Sequence, residues 1–488
     1  MRYLHFVVPP LAAALTAGCL LGPQYERPQV EQAPAYGAAP ANNVANVGAW
    51  NQAQPADRTL RGKWWEAFND PQLNALEDKL STANQTLKSA AAHYQAAKAA
   101  VGYARSAELP TVTVNPYADS LRWSNERPYF ANTHTTGDFN IPLNASYEFD
   151  VWGRVEHTVN QSAEEAQAAA ADLQTVTLLM HAELALDYFD LRSADSQKKL
   201  LDDSVKNFAD ALQLTQNRAE GGAAPDSDVA QAKTQLDTTR VQATEVTVQR
   251  AQLEHAIAVL VGDQPAVFKL APSPLDLHQP PIPVGIPSEL LQRRPDIAAA
   301  ERRVAQANER IGIAKAAYYP SFILGAQTGF EGARLNDLFE WPSFLWAVGL
   351  TMNQTLFDNG RARSGDEVAQ ANYDAAVADY RQSVLDAYQQ VEDNLTALAI
   401  LEEEAHQQDE AVASAKHSLE LFTNRYVGGR DTYLQVVTAQ TVTLTNQRNA
   451  TDILRRRMEA SVLLIKALGG GWSDKDLPAL ADVKKASD

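Results

Sequence analysis

Tyr147-Glu148-Phe149-Asp150-Val151-Trp152-Gly153-Arg154 returns 207 residues later as Gln354-Thr355-Leu356-Phe357-Asp358-Asn359-Gly360-Arg361. The same offset carries Gly221-Gly222 to Gly428-Gly429, Val229 to Val436 and Gly262 to Gly469. Slightly upstream the offset is 210. Ala104-Arg105-Ser106-Ala107-Glu108-Leu109-Pro110-Thr111 answers Ala314-Lys315-Ala316-Ala317-Tyr318-Tyr319-Pro320-Ser321. The chain therefore reads as two copies of one unit, each mixing very long helices with short strands.

The strands carry the first functional signal. Across Asp138–Phe149 the odd positions are Phe139, Ile141, Leu143, Ala145, Tyr147 and Phe149, and the even ones are polar or proline. Adding 207 gives Trp346, Val348, Leu350, Met352, Gln354 and Leu356, separated by small or polar residues. The two copies agree in face as well as in position, as strands with one apolar and one wet side. A soluble sandwich strand alternates in the same way, and a transmembrane strand gives a weak signal per segment. If the apolar face meets lipid, Phe139, Ile141, Leu143, Trp346, Val348 and Leu350 are the lipid-facing set.

The N-terminus favours export to a membrane. Residues 1–18 carry one cation, Arg2, then an apolar run interrupted by Pro9-Pro10, then small residues, the plan of a secretory signal peptide. The run ends Leu15-Thr16-Ala17-Gly18-Cys19, which resembles the bacterial lipobox, and Cys19 is the only cysteine. That resemblance implies a covalent lipid on Cys19. Leu20, rather than Asp, follows it, which implies the outer membrane as the address.

Composition sets bounds. Over 488 residues, 42 Lys and Arg stand against 60 Asp and Glu, a formal charge of −18, which argues against nucleic acid as a partner. No later stretch holds 18 consecutive apolar residues. A membrane crossing must therefore use strands, and these must close into a barrel.

Along the chain, 19–62 reads as a tether rich in Pro, Ala, Asn and Gln, and 63–271 as the first repeat. Residues 272–287 form a Pro-rich crossover, 288–471 the second repeat, and 472–488 a polar tail. Within the repeats, a helix should run from Asp70-Pro71 to about Glu108. Strands are expected at about Thr111–Trp123, Asp138–Phe149, Ser321–Glu331 and Phe344–Phe357. Proline-free stretches from Arg154 to about Glu220, and from Arg361 to about Val427, read as helices of about 65 residues, roughly 98 Å long. Gly221-Gly222 and Gly428-Gly429 break them, and return helices follow. Apolar residues at 3–4 spacing (Leu173, Val176, Leu179, Met180, Leu184, Leu186) with Ala between them make a coiled-coil-like seam. The fold class is mixed, mostly α. Four strands cannot close a barrel, for which about eight are needed, so the chain must oligomerise. Three copies give twelve strands and a lumen.

Taken in order, several motifs resemble the TolC-like outer-membrane efflux channels, in their lipidated OprM/NodT branch. They are Cys19 with Gly22-Pro23-Gln24-Tyr25-Glu26-Arg27-Pro28, Trp64-Trp65 to Leu73, Phe149 to Arg154, Arg293-Arg294-Pro295-Asp296-Ile297, Leu356 to Arg361, and Arg425-Tyr426-Val427-Gly428-Gly429. The resemblance implies a homotrimer with a 12-stranded transmembrane β-barrel and a 12-helix α-barrel through the periplasm. It also implies a periplasmic adaptor protein and an inner-membrane pump as partners.

The family closes its periplasmic end with a Leu ring and an Asp ring. Aligned on Tyr426 and Gly429, these fall on Leu434 and on Thr438, so the acid ring is missing at that level. Asp431, Asp226 and Asp228 lie near the two turns and could supply charge there, so Asp431, Asp228 and Tyr426 join Leu434 and Thr438 as periplasmic gate candidates, although Asp226 and Asp431 read as helix N-caps before gate groups. The turns themselves, Gly221-Gly222-Ala223 and Val427-Gly428-Gly429-Arg430, match the family's adaptor-contact loops.

Enzyme signatures are thin. His181-Ala182-Glu183 opens like a zinc-deaminase motif but lacks its Cys pair. His-Glu-x-x-His, Gly-x-Ser-x-Gly and a phosphate-cradling glycine loop are absent. The nine histidines are scattered, and most are expected in solvated or tunnel-lining positions. No metal or cofactor is called for beyond the lipid. The competing reading is a periplasmic structural lipoprotein without a conducting pore.

Overall fold

A computed structural model of the chain describes residues 20–30, 36–37, 62–122, 124, 126, 135–275, 280, 282 and 290–485. The signal segment, Cys19, and most of the stretches read as tether and crossover lie outside the described residues.

Asp70 opens the helical body. Its carboxylate accepts from the Gln72 and Leu73 amides at 2.8 and 3.2 Å, and Pro71 occupies the first helical position of α1 (Pro71–Ala83). The single helix expected to Glu108 is in fact two. Asn84 leaves helical geometry at ψ 128° and caps α2 (Gln85–Arg105) by accepting from the Leu87 amide at 2.9 Å. Its amide nitrogen donates to the Leu260 carbonyl at 2.8 Å, so a distant helix end fixes the break.

The first repeat continues with β1 (Thr111–Val114), β2 (Tyr117–Leu121), β3 (Thr136–Phe149), α3 (Arg154–Glu220) and α4 (Asp226–Leu260). The second runs α5 (Leu290–Arg293), α6 (Pro295–Ala316), β4 (Ser321–Gly332), β5 (Phe344–Asn353), α7 (Arg361–Val427) and α8 (Tyr433–Ala467). The short α9 (Leu480–Lys485) follows. The long helices α3 and α7 have 67 residues each, and the return helices α4 and α8 have 35 each. All four boundaries repeat at the 207 offset. At 1.5 Å per residue the long helices reach about 100 Å.

All strand pairs are antiparallel, in the order β1–β3–β4–β5, with β2 also on β3. Pro116, which has no amide hydrogen to donate, separates β1 from β2 without shifting register. Thr111 pairs with Ser146, and the equivalent residues Ser321 and Asn353 pair as well, so the duplication holds down to residue register. The fourth strand was expected to reach Phe357 but stops at Asn353, because β4 begins at Ser321, the partner of Asn353. Gln354 and Leu356 therefore lie beyond the strand, and Leu356 is 93% exposed.

In the main core Trp64, Trp65 and Phe68 pack with Leu73, Leu184, Tyr188, Phe189, Tyr380 and Val462. A charged joint ties α3 to α4 beside it. Asp195 holds Arg250 at 2.6 Å and Arg192 at 3.0 Å, and the two arginines reach the Leu270 and Ala271 carbonyls. Asp195 and Arg192 are buried with Arg250 half-buried beside them, and removing one partner of a buried pair typically costs about 3–5 kcal/mol.

Both ends of the described chain differ from the sequence reading. Residues 20–30 are extended but packed. Leu20 lies against Gly153, the Asn308 side chain donates to the Pro23 carbonyl at 2.9 Å, and Tyr25 donates to Glu301. The polar tail folds back. Val483 is buried among Val101, Ala163 and Ala166, and Gln167 donates to the Pro478 carbonyl at 2.7 Å. Neither segment carries a hydrophobic period, so their contacts are set by the surface they lie on.

Candidate functional site

Two surfaces answer to the candidate residues. The first is the sheet. Cross-strand partners share a face, and they form rows: Ile141–Phe330–Phe344, Leu143–Thr328–Trp346, Ala145–Ala326–Val348, Tyr147–Leu324–Leu350 and Phe149–Phe322–Met352. Phe139 follows on the same face of β3. All six candidate lipid-facing residues thus lie on one face. The opposite face carries rows such as Asn144–Gln327–Ala347, Ser146–Gly325–Gly349 and Glu148–Ile323–Thr351. The strands β3, β4 and β5 hold 14, 12 and 10 residues, against the about 9–11 that span a bilayer. The outer edges, on β1/β2 and on β5, have no partner strand among the described residues. On β5, Trp346, Val348 and Leu350 are 71%, 65% and 62% exposed.

The second surface is the pair of hairpin turns, α3–α4 and α7–α8. Gly222 and Gly429 take φ of 71° and 70°, the left-handed region that glycine enters without a Cβ clash. All seven candidate contact residues of the turns are exposed: Gly221, Gly222, Ala223, Val427, Gly428, Gly429 and Arg430. Tyr426 is not. It is buried with Tyr433, Val436 and Ala232, its ring 5.2 Å from that of Tyr433, where the two hairpins meet. Burial pushes the Tyr433 hydroxyl up to about 12, helped by the neighbouring Tyr426 and Asp228 and opposed by hydrogen bonds with Gln440 and Thr215.

Leu434 and Thr438 stand one turn apart on the open side of α8. Leu434 is 53% exposed, and Thr438 donates to the Leu434 carbonyl at 2.8 Å. The capping expectation for Asp226 and Asp431 is not met. Pro225 and Thr432 occupy the cap positions, and neither return helix has a side-chain cap bond. Asp226 is the first residue of α4, and Asp228 lies in its first turn. Asp431 pairs with Arg425 at 3.2 Å. Sequence reasoning missed Arg218, which reaches from the first hairpin to Tyr426 and Val427. Its one signal was its position, 207 residues before Arg425.

Two histidines, His157 and His181, are buried rather than solvated. His181 stacks on Trp65 at 4.3 Å and contacts the Glu77 carboxyl at 2.6 Å. Burial pushes the Glu77 carboxyl up and the His181 imidazole down, both towards their neutral forms. Among the described residues no cluster of three or more metal-ligating side chains occurs, and no helix is long and apolar enough to cross a membrane.

A duplicated chain with hairpins of this length and a sheet with one apolar face has known counterparts. Residues 76–263 and 286–470 match the outer membrane efflux protein family. The chain belongs to that family. The toluene efflux pump outer membrane protein TtgF of Pseudomonas putida is 31% identical over 471 residues, covering 96% of this chain and 97% of that protein. The pyoverdine export outer membrane protein OpmQ of Pseudomonas aeruginosa is 29% identical, covering 90% and 94%. Among solved structures the outer-membrane channel OprN matches with a TM-score of 0.85 at 27% identity, over 93% of this chain and 100% of that one. The fold of this efflux protein is therefore that of the TolC-like outer-membrane channels, and its place is the outer membrane.

Proposed function

We propose that this efflux protein is the passive exit duct of a tripartite system. Copies of the chain close into one barrel in the outer membrane and one helical tunnel below it. The tunnel receives substrates from an inner-membrane pump through a periplasmic adaptor. The observation that carries the reading is the sheet, which has one apolar face, one small and polar face, and two edges without a partner strand among the described residues. A structural lipoprotein without a pore has no use for that combination, since in lipid an open edge must find a partner.

The helices support the same assembly. Of 67 residues each, α3 has 25 buried and α7 has 10. The first packs extensively against both α2 and α6, the second against α6 alone of these two. The partner missing from α7 is the α2 of another copy. A homotrimer of four-stranded units gives a 12-stranded barrel and twelve tunnel helices.

Lipidation at Cys19 fits the placement of its neighbour. Leu20 rests against Gly153, four residues beyond the end of β3, so acyl chains on the preceding residue would enter the leaflet where the barrel meets the helices. The tips carry adaptor contacts through Gly221, Gly222, Ala223 and Val427 to Arg430. Leu434 closes the resting tunnel, with Thr438 a turn above it.

Conductance of the purified protein in a planar bilayer tests the duct. Stable trimer-sized ion-conducting events are expected, and a folded, membrane-inserted protein that passes no current under any applied voltage would refute it.

A further inference from the structure

Where the strands give way to the helices, the first repeat encloses a cavity of about 310 Å³. Arg105 brings the end of α2 to it, Tyr147 the end of β3, Glu156 and Asn160 the first turns of α3, and Lys484 belongs to α9. The volume is at the low end of the range of about 300–1,000 Å³ found for small-ligand sites. The cavity lies on the lipid side of the wall. Tyr147 belongs to the apolar face of β3, in the row with Leu324 and Leu350. The tail that carries α9 lies on the flank of α3 that presents Ala163 and Gln167. At about 3.6 residues per turn, Glu156 and Asn160 project from that same flank.

Most charges around the cavity are matched. Glu148 is held by Arg154 at 2.9 and 2.6 Å, and Asp150 accepts from the Glu156 amide at 2.7 Å. Arg105 donates to the Lys484 carbonyl at 2.5 Å and stands 3.7 Å from Glu108. Two charges remain. The Lys484 ammonium donates to Asn160, a neutral amide. The Glu156 carboxylate has no hydrogen bond or ion pair among the described residues. The second repeat resolves the same positions differently. There 156 becomes Arg363 and 160 becomes Glu367, and these two pair along α7 at 2.9 Å. The first repeat instead keeps one cation on α9 and one anion on α3, both facing one cavity.

We propose that this cavity binds the phosphoethanolamine headgroup of one phospholipid per copy, from the periplasmic leaflet. The phosphate meets Lys484, the ammonium meets Glu156, and the acyl chains run along the apolar face of β3 past Tyr147. A primary ammonium offers the carboxylate charge-assisted hydrogen bonds. A choline group has no N–H to donate, and a glycerol headgroup brings no positive charge to walls that carry Glu108, Glu148, Asp150 and Glu156. Arg105 is a positioning residue, since it holds the Lys484 backbone. A headgroup bound there ties α9 and the start of α3 to the leaflet surface and so sets the depth of the barrel. The inference rests on the reading of the sheet as a barrel with a lipid-facing side, and not on conduction.

The test uses the full-length protein, stripped of lipid in detergent and offered equal amounts of phosphatidylethanolamine, phosphatidylcholine and phosphatidylglycerol. Native mass spectrometry counts the lipid retained per copy. The wild type is expected to keep phosphatidylethanolamine several-fold better than the other two. Glu156→Gln should bring phosphatidylethanolamine down to the phosphatidylcholine level. Lys484→Gln should weaken both, because both carry the phosphate. Asn160→Glu should do the same with the lysine in place, by giving it a carboxylate to pair with. Arg363→Gln, at the equivalent place in the second repeat, should leave the wild-type pattern. If the wild type retains the three lipids equally, or if a folded Glu156→Gln keeps the preference, the site falls while the barrel stands. Displacement of the lipid by free phosphoethanolamine at matched concentration would overturn a lipid as the occupant. A protein that retains no lipid of any kind would overturn the barrel reading as well.

Discussion

His157 sits with both ring nitrogens facing oxygen: Nδ1 is 2.6 Å from Glu309 Oε2, and Nε2 is 2.7 Å from the Leu21 carbonyl. A carbonyl only accepts, so Nε2 carries a proton, and a proton on Nδ1 makes the ring a cation between two acceptors. Burial pulls its pKa down, but the Glu309 hydrogen bond and charge, the Leu21 carbonyl and Glu156 outweigh it, and the pKa lies above the usual histidine value. A group raised on folding contributes stability that is complete below its unfolded pKa of about 6.5 and is lost as pH rises through the folded value. Amide exchange of residues 20–25 should therefore accelerate on going from neutral to alkaline pH in the wild type. In His157→Gln it should be fast and nearly pH-independent once the intrinsic rate is removed. Gly312 belongs to the same contact, since a Cβ there would lie 2.4 Å from the His157 ring. Gly312→Ala is expected to cost about 1–3 kcal/mol by overpacking, read as a lower thermal midpoint. At the tip, Leu434→Ala should raise resting conductance more than Thr438→Ala. Thr438→Asp should increase cation selectivity or divalent block, because it places three like charges around a narrow lumen. Unchanged ion selectivity and divalent sensitivity in Thr438→Asp would place residue 438 away from the constriction.

The strands make the next prediction. Arg at Val348 or Ile141, on the apolar face, should cost about 2–4 kcal/mol of barrel stability near mid-membrane, whereas Arg at Thr351 or Asn144 should be tolerated. Folding titrations into lipid vesicles measure the difference, and equal costs on both faces would remove the barrel. These faces were legible because alternation is a local property of the chain. So were the hairpin turns, where paired glycines interrupt proline-free helices. Where an element's end depends on a partner, the sequence was silent. The end of β5 at Asn353 is set by the start of β4, and the break at Asn84 by its bond to the Leu260 carbonyl. Other features rest on contacts between residues more than a hundred positions apart, and no local period encodes them. These are the buried state of His157 and His181, the folding back of the tail onto α2 and α3, and the crossing of Arg218. Duplication was the exception, since a residue's counterpart in the other repeat tells what its surroundings should be.

At the scale of the molecule that rule specifies the assembly. The β1·β3 register maps onto β4·β5 when β1 is shifted by 210 and β3 by 207. The pairing between repeats, β3·β4, should likewise map onto β5 of one copy and β1/β2 of the next. Ile141 pairs with Phe330. Moving Ile141 forward by 207 and Phe330 back by 210 sets Val348 of one copy opposite Ser120 of the next. Asn144 with Gln327 sets Thr351 opposite Tyr117 in the same way. Both pairs respect the faces, since Ser120 lies on the apolar side with Ala118, the partner of Phe139. Directly opposed residues hold their Cβ atoms about 4.5–5.5 Å apart, close to disulfide reach.

The measurement that tests this closure most directly is oxidation of Val348→Cys combined with Ser120→Cys, in outer membranes from cells making the full-length protein. Closure by identical copies predicts a ladder of covalent dimer and trimer and nothing larger, with little product from the off-register pair Val348→Cys and Tyr117→Cys. Absence of intermolecular product from the first pair, or a ladder from the second pair alone, would contradict it.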